Sequence, residues 1–182
     1  MNEKKENYHF IDLNKPLVVV LDGKAVTRNH GKYPMIGYKS FTRLIHRIGK
    51  RITAGKDCII YSMLDEISFV FPDPSVVLDE YDDNNEAYFQ AMFLQDFLEQ
   101  LWKYYPGTRF SIFTFSIEKE QIEDYIKERK EMCYSGALFW YAKEFVSKDI
   151  YRDMELPELE NYLKKKCRGV FKIPDFTEGI LD

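Results

Sequence analysis

Cys58-Ile59-Ile60-Tyr61-Ser62-Met63-Leu64-Asp65-Glu66-Ile67-Ser68-Phe69-Val70-Phe71 is a pair of apolar runs hinged on two acids. β-Branched and aromatic residues crowd both sides of Asp65-Glu66, and Pro72 and Pro74 close the second run. The pattern predicts a tight hairpin with strands at 58–64 and 66–71. Upstream, Lys15-Pro16-Leu17-Val18-Val19-Val20-Leu21-Asp22-Gly23-Lys24 predicts a fully buried strand over 16–21 that also ends in a carboxylate.

Outward from these strands, Gly31, Pro34 and Gly37 mark 24–38 as a long loop. Phe41, Leu44, Ile45, Ile48 and Ile52 then recur at helical spacing, so a helix is expected from about 40 to 53 with Ser40 as its N-cap. An acidic loop follows the hairpin. A second helix is expected over 87–105, stopped by Pro106-Gly107, and a fourth strand over 109–118. The order β-α-β-β-α-β is that of an α+β, ferredoxin-like antiparallel sheet. Strands one and three are central neighbours in it, so Asp22 and Asp65 should meet at one sheet edge. Further helices are expected at 122–146 and 156–166, then an extended tail. The chain divides accordingly into a lead-in (1–14), a palm core (15–118), C-terminal helices (119–168) and a tail (169–182), all one domain.

With 182 residues, 45% of them hydrophobic and 16% aromatic, the chain can bury one substantial core. No apolar run approaches the roughly 20 residues needed to span a bilayer, so no membrane partner is expected. Met1-Asn2-Glu3-Lys4-Lys5-Glu6 has no apolar signal region behind it. The 3 cysteines (Cys58, Cys133 and Cys167) suit neither a disulfide framework nor a metal knuckle. Together these point to a reducing cytoplasm.

The net charge of −4 hides a segregation. Nine Lys or Arg and no acid lie between Lys24 and Lys56, and eleven Asp or Glu and no base between Asp57 and Trp102. Such runs are usually solvated faces. Here the basic block starts directly after a carboxylate-ended strand, where a polyphosphate or nucleic-acid backbone would want it.

Asp-Gly after a strand and Asp-Glu at a hairpin tip are each ordinary turn dipeptides. On the two central strands of one sheet they become a candidate hard-cation site. Asp22, Asp65 and the Gly23 carbonyl suit two Mg2+ ions, with the backbone of Gly23, Lys24, Ala25 and Val26 cradling a triphosphate and Lys24, Arg28 and Lys32 offsetting its charge. His9, His30 and His46 share no metal-ligand spacing, and no Ser or Cys has a basic partner in an activating pattern. The Phe and Tyr residues of 87–105 and 139–141 lie at helical spacing and are expected in the core or a subunit interface. Lys164-Lys165-Lys166 closes a helix, where the dipole favours positive charge, and with Arg168 it is also a candidate RNA contact.

Val18-Val19-Val20-Leu21-Asp22-Gly23-Lys24-Ala25-Val26-Thr27-Arg28 resembles the Ile-Asp-Gly-Arg-x-Phe-x-Arg segment of tRNA-His guanylyltransferases and their tRNA-repairing relatives, the 3′–5′ polymerases. Leu64-Asp65-Glu66-Ile67-Ser68-Phe69-Val70-Phe71 resembles that family's Ser-Asp-Glu-Tyr-Ser-Phe-Val-Phe hairpin, and 173–181 its terminal Leu-Pro-x-x-Phe-Arg-Lys-Gly-x-Val-Leu. The resemblance implies a polymerase-like palm, the polymerase-palm form of the ferredoxin-like sheet, in which Asp22, Asp65 and the Gly23 carbonyl hold two Mg2+ ions, Glu66 is a neighbouring catalytic residue, and Lys32 matches a phosphate-binding Lys. It further implies activation of an RNA or tRNA 5′ end with ATP or GTP, followed by nucleotide addition, and a homo-oligomer for which the aromatic-rich helices could supply an interface. Three departures are visible. Leu64 replaces the hairpin Ser, Cys133-Tyr134-Ser135-Gly136-Ala137 stands where a His-x-Asn-Asn helix is expected, and Thr177-Glu178 replaces Arg-Lys. Nucleotidyl transfer survives these departures; a histidine-tRNA substrate does not follow. Two other classes fit the acids: a nucleotide cyclase or dinucleotide synthase, and a non-catalytic RNA- or nucleotide-binding module on a decayed palm.

Overall fold

A computed structural model describes residues 10–24, 34–81, 85–166 and 180–182. The strands are β1 (Leu17–Lys24), β2 (Ile59–Met63), β3 (Glu66–Phe71), β4 (Arg109–Ser116) and β5 (Ile180–Leu181), and the sheet runs β4-β1-β3-β2-β5. The described pairings are all antiparallel, and β1 lies between β3 and β4 as the strand order required. Side chains of alternate residues point to opposite faces. The register Val19↔Phe69 and Leu21↔Ile67 sends the odd residues of β1 and β3 to one face; Val20↔Ser68 and Asp22↔Glu66 send the even ones to the other.

The odd face carries α1 (Pro34–Ile52) and α3 (Glu86–Leu101). Phe69 meets Phe93 of α3 edge-on at 5.1 Å between ring centroids, and Phe97 meets Phe110 of β4 at 5.2 Å. Such edge-to-face pairs add about 0.5–1.5 kcal/mol each to the burial of the rings. α1 comes close because Gly49 has no side chain: a Cβ there would lie 2.5 Å from Ile67 Cδ1 and 3.0 Å from Phe69 Cε1. Gly49→Val should therefore cost about 2 kcal/mol or more, since overpacking and β-branching outweigh any helix-propensity gain over Gly. A denaturant midpoint equal to the parent's would show that α1 is free to move off the sheet.

The even face carries α4 (Ile122–Phe145), against which α6 (Leu156–Lys166) buries Leu159 and Leu163; α5 (Lys148–Tyr151) is a single turn between them. No helix among the described residues is long and apolar enough to cross a membrane.

Several boundaries differ from the sequence expectation. α1 begins at Pro34, not Ser40, because Pro at the first helical position costs no hydrogen bond; the expected loop is correspondingly shorter. Residues 75–81, expected as acidic loop, form α2 (Ser75–Tyr81), whose first turn is capped by Asp73 accepting from the Ser75 amide at 2.9 Å and whose Val77 and Leu78 are buried. α3 stops at Leu101, four residues before the expected end. The end of the tail is a strand: Ile180–Leu181 pairs with β2, and the Asp182 amide donates to the Ile60 carbonyl at 2.9 Å. The Asp182 carboxylate is tied to His46 Nε2 at 2.7 Å and accepts from Lys50 Nζ at 2.9 Å, which holds it below the usual carboxylate range. His46 Nδ1 in turn lies 2.9 Å from Ser62 Oγ, so a Ser does have a basic partner, but Ser62 is fully buried and the chain is a structural tie of α1 to β2 and β5.

Candidate active site

Asp22 and Asp65 do meet. The β1–β3 ladder sets Asp22 opposite Glu66, and the Gly23 amide donates to the Asp65 carbonyl at 2.9 Å, clamping the end of β1 to the hairpin tip. The hairpin loop is only Leu64-Asp65, since Met63 already pairs with Glu66. Leu64 takes φ +54°, a left-handed conformation that costs an L-residue about 1–2 kcal/mol. The cost is met locally: Thr42 Oγ1 on α1 donates to the Leu64 carbonyl at 2.8 Å, and the Leu64 side chain packs against the core. Helix α1 thus fixes the residue that precedes the acid.

The three carboxylates at this corner differ in environment. Burial raises Asp65 to about 6, with Asp22 and Glu66 adding to the rise and Lys24 opposing it. Asp22 accepts a hydrogen bond from Lys24 Nζ at 2.6 Å. Glu66 is gripped by Arg129 of α4, whose Nε donates to Oε1 at 2.7 Å while a terminal nitrogen donates to Oε2. Burial still keeps Glu66 above the usual carboxylate range, the Arg129 contacts offsetting it only in part. Cys133 stands over the same carboxylate, Sγ 3.8 Å from Oε1, and burial pushes its thiol up to about 12, so it is no thiolate nucleophile.

Of the residues singled out in the sequence, Asp22, Gly23, Asp65 and Glu66 are brought together. Lys24 is the last residue of β1 rather than a loop residue, and its ammonium is committed to Asp22. Ala25, Val26, Arg28 and Lys32 lie outside the described residues, as does most of the expected tail. Sequence reasoning missed Arg129, Cys133 and Tyr125. They recur every four residues, which places them on one face of α4, and Tyr125 Oη reaches Ser68 Oγ at 3.3 Å. That spacing could have been noticed; that Glu66, 63 residues earlier in the chain, would be the partner could not.

Among the described residues no three His, Cys, Asp or Glu side chains converge as a ready-made metal cage. Two carboxylates are nevertheless what a Mg2+ site needs from protein when substrate phosphates and water supply the rest. Three acids against the Lys24 and Arg129 cations leave one net negative charge, and the raised Asp65 marks a corner that a cation would relieve. The residues fit the ion.

The antiparallel sheet with helices on both faces is an α+β fold. Among solved structures the chain is similar to the tRNA(His) guanylyltransferase of Saccharomyces cerevisiae, with a TM-score of 0.67 at 14% identity over 98% of this chain and 90% of that one. It is also similar to a bacterial tRNA(His) guanylyltransferase-like protein in complex with ATP (TM-score 0.63, 12% identity, 96% of this chain and 82% of that one). A bacterial protein of the same description in complex with GTP gives a TM-score of 0.52 at 14% identity, over 96% and 78% of the two chains. No protein-family model matches the sequence, and a comparison with curated proteins found no match. The fold is that of the tRNA(His) guanylyltransferases, the family whose hairpin the sequence resembles.

Proposed function

We propose that this protein is a Mg2+-dependent nucleotidyltransferase that adds nucleotides to the 5′ end of a tRNA or other RNA, with GTP or ATP as substrate. The single observation that carries the reading is the Gly23–Asp65 clamp, which brings Asp22 and Asp65 to one edge of a palm whose structural neighbours hold ATP and GTP. Asp22 and Asp65 would hold the metal, with the Gly23 carbonyl beside them. When bound, Mg2+ would activate the attacking oxygen and neutralise the leaving pyrophosphate. The protein's own part is positional. Glu66 stays braced by Arg129 and adds negative potential behind Asp22, and Thr42 keeps the hairpin tip from opening. Lys24 is poised to exchange its Asp22 contact for a triphosphate oxygen once a cation has taken its place.

The test is incubation of the protein with labelled GTP or ATP, Mg2+ and RNAs bearing a 5′ monophosphate or triphosphate. Label at the RNA 5′ end, lost on adding a chelator and lost in Asp22→Asn, is the expected result. A cyclic product formed without RNA would replace the reading with a nucleotide cyclase. RNA or nucleotide binding without incorporation at any RNA end would replace it with a binding module.

A further inference from the structure

α1 carries Arg43, Arg47 and Arg51 at i, i+4 and i+8, and all three are exposed. Four-residue steps keep them in one stripe about 12 Å long, each about 40° around the helix from the last. The other described cations of the basic block are occupied: Lys24 with Asp22, Lys50 with Asp182, and Lys56 with Glu80. Among the described residues none of the three arginines enters an ion pair. Three guanidinium groups on one helix face, without an ion pair among the described residues, repel one another, and a chain with net charge −4 had ample carboxylate to neutralise them. An unopposed stripe of this kind attracts a polyanion.

We infer that this face of α1 docks the phosphate backbone of the RNA whose 5′ end the carboxylate corner would extend; the inference rests on the proposed function. Continuity with that corner sets the occupant. Thr42, which bonds the Leu64 carbonyl at the hairpin tip, directly precedes Arg43. The stripe therefore begins one residue past the contact between α1 and the hairpin tip and leads away from that tip along the outer side of α1, across the sheet from α4. RNA held there presents its body to the arginines while its terminus turns the sheet edge into the site. Guanidinium groups suit the task because each can grip a phosphate with two parallel hydrogen bonds. The contacts carry charge and no base information, so they fix where the RNA lies and leave sequence choice elsewhere.

The experiment is binding of an unmodified tRNA transcript over 50 to 200 mM KCl, comparing the parent with the triple variant Arg43→Gln, Arg47→Gln, Arg51→Gln. Each lost phosphate contact lowers the slope of log K against log salt by about 0.9 on duplex RNA, taking the DNA value. Three contacts predict a drop of about 2.7, so the parent should lose about 40-fold more affinity over this salt range than the variant. The triple Arg→Lys variant, with its charges kept, should retain most of the slope. A control of equal charge loss at exposed residues, Lys103→Gln, Lys119→Gln, Lys148→Gln, should leave it unchanged, and GTP affinity in the presence of Mg2+ should be equal in all. If the Arg→Gln and control variants behave alike, or both match the parent, the stripe is refuted while incorporation can still succeed. Loss of slope in the Arg→Gln variant alone, with a parent that incorporates nothing, keeps the stripe and sinks the catalytic reading. A parent that does not bind RNA sinks both.

Discussion

Asp65→Asn is expected to reduce nucleotide incorporation by about 10³-fold or more and at the same time to make the metal-free protein more stable at pH 7. The first half follows from the loss of a proposed ligand to the metal, which would supply several kcal/mol of transition-state charge stabilisation. The second follows from the corner itself. Asp65 is raised to about 6 by burial and by Asp22 and Glu66. A carboxyl whose pKa is higher in the folded than in the unfolded chain penalises folding wherever it must ionise. The penalty is full above pH 6, shrinks as pH falls from about 6 towards the unfolded value near 3.8, and is absent below it. Asn removes it. A gain of about 1–2 kcal/mol at pH 7 is expected, discounted for the partial exposure of the group, vanishing near pH 4. Mg2+ should raise the melting temperature of the parent and leave that of the variant unchanged. Thermal melts at pH 7 and pH 4, with and without Mg2+, check all of this. A variant less stable than the parent at pH 7 would show that Asp65 is a structural turn residue after all.

Arg129→Leu is expected to cost about 3–5 kcal/mol, roughly 10 °C in melting temperature for a chain of this size. The reason is not the worth of the ion pair but what its removal leaves behind. Glu66 is four-fifths buried under α4, and without the guanidinium its charge has neither solvent nor partner. Glu66→Gln alone should be milder, since a neutral amide still accepts from Arg129. The double variant Arg129→Leu, Glu66→Gln should recover at least half of the loss, a coupling that a double-mutant cycle reads directly. Equal losses in the single and double variants would place the cost in packing of α4 instead. The pair has a functional bearing too. Glu66 sits opposite Asp22 on the even face, so a relaxed Glu66 would change the field at the proposed metal site and should weaken metal binding in whatever Arg129→Leu protein folds.

The strands were legible because each is a short run of β-branched and aromatic residues with a stop signal, and the period of 2 leaves little choice about which residues face together. Their order was legible because β-α-β-β-α-β admits few unknotted arrangements. The even-face partners were not. Phe113 and Phe115 read as two more members of an alternating strand, yet they stand on the side away from α1 and α3 and are half exposed, since α4 leaves β4 only partly covered. The start of α1 was hidden because Pro34 and Gly37 punctuate loops in most contexts, and packing overrode propensity here.

The sequence by itself determined a palm-like sheet with a carboxylate at the end of one central strand and at the tip of the next, and a basic block beside them. Those properties are local: they follow from hydrophobic period, turn residues and the sign of nearby charges. Only the tertiary structure decided which charges survive unpaired. It committed Lys24 to Asp22, Arg129 to Glu66 and Lys50 to Asp182, and left Arg43, Arg47 and Arg51 facing solvent. Charge pairing across 63 or 132 residues depends on which faces meet when helices pack, and no spacing along the chain encodes it.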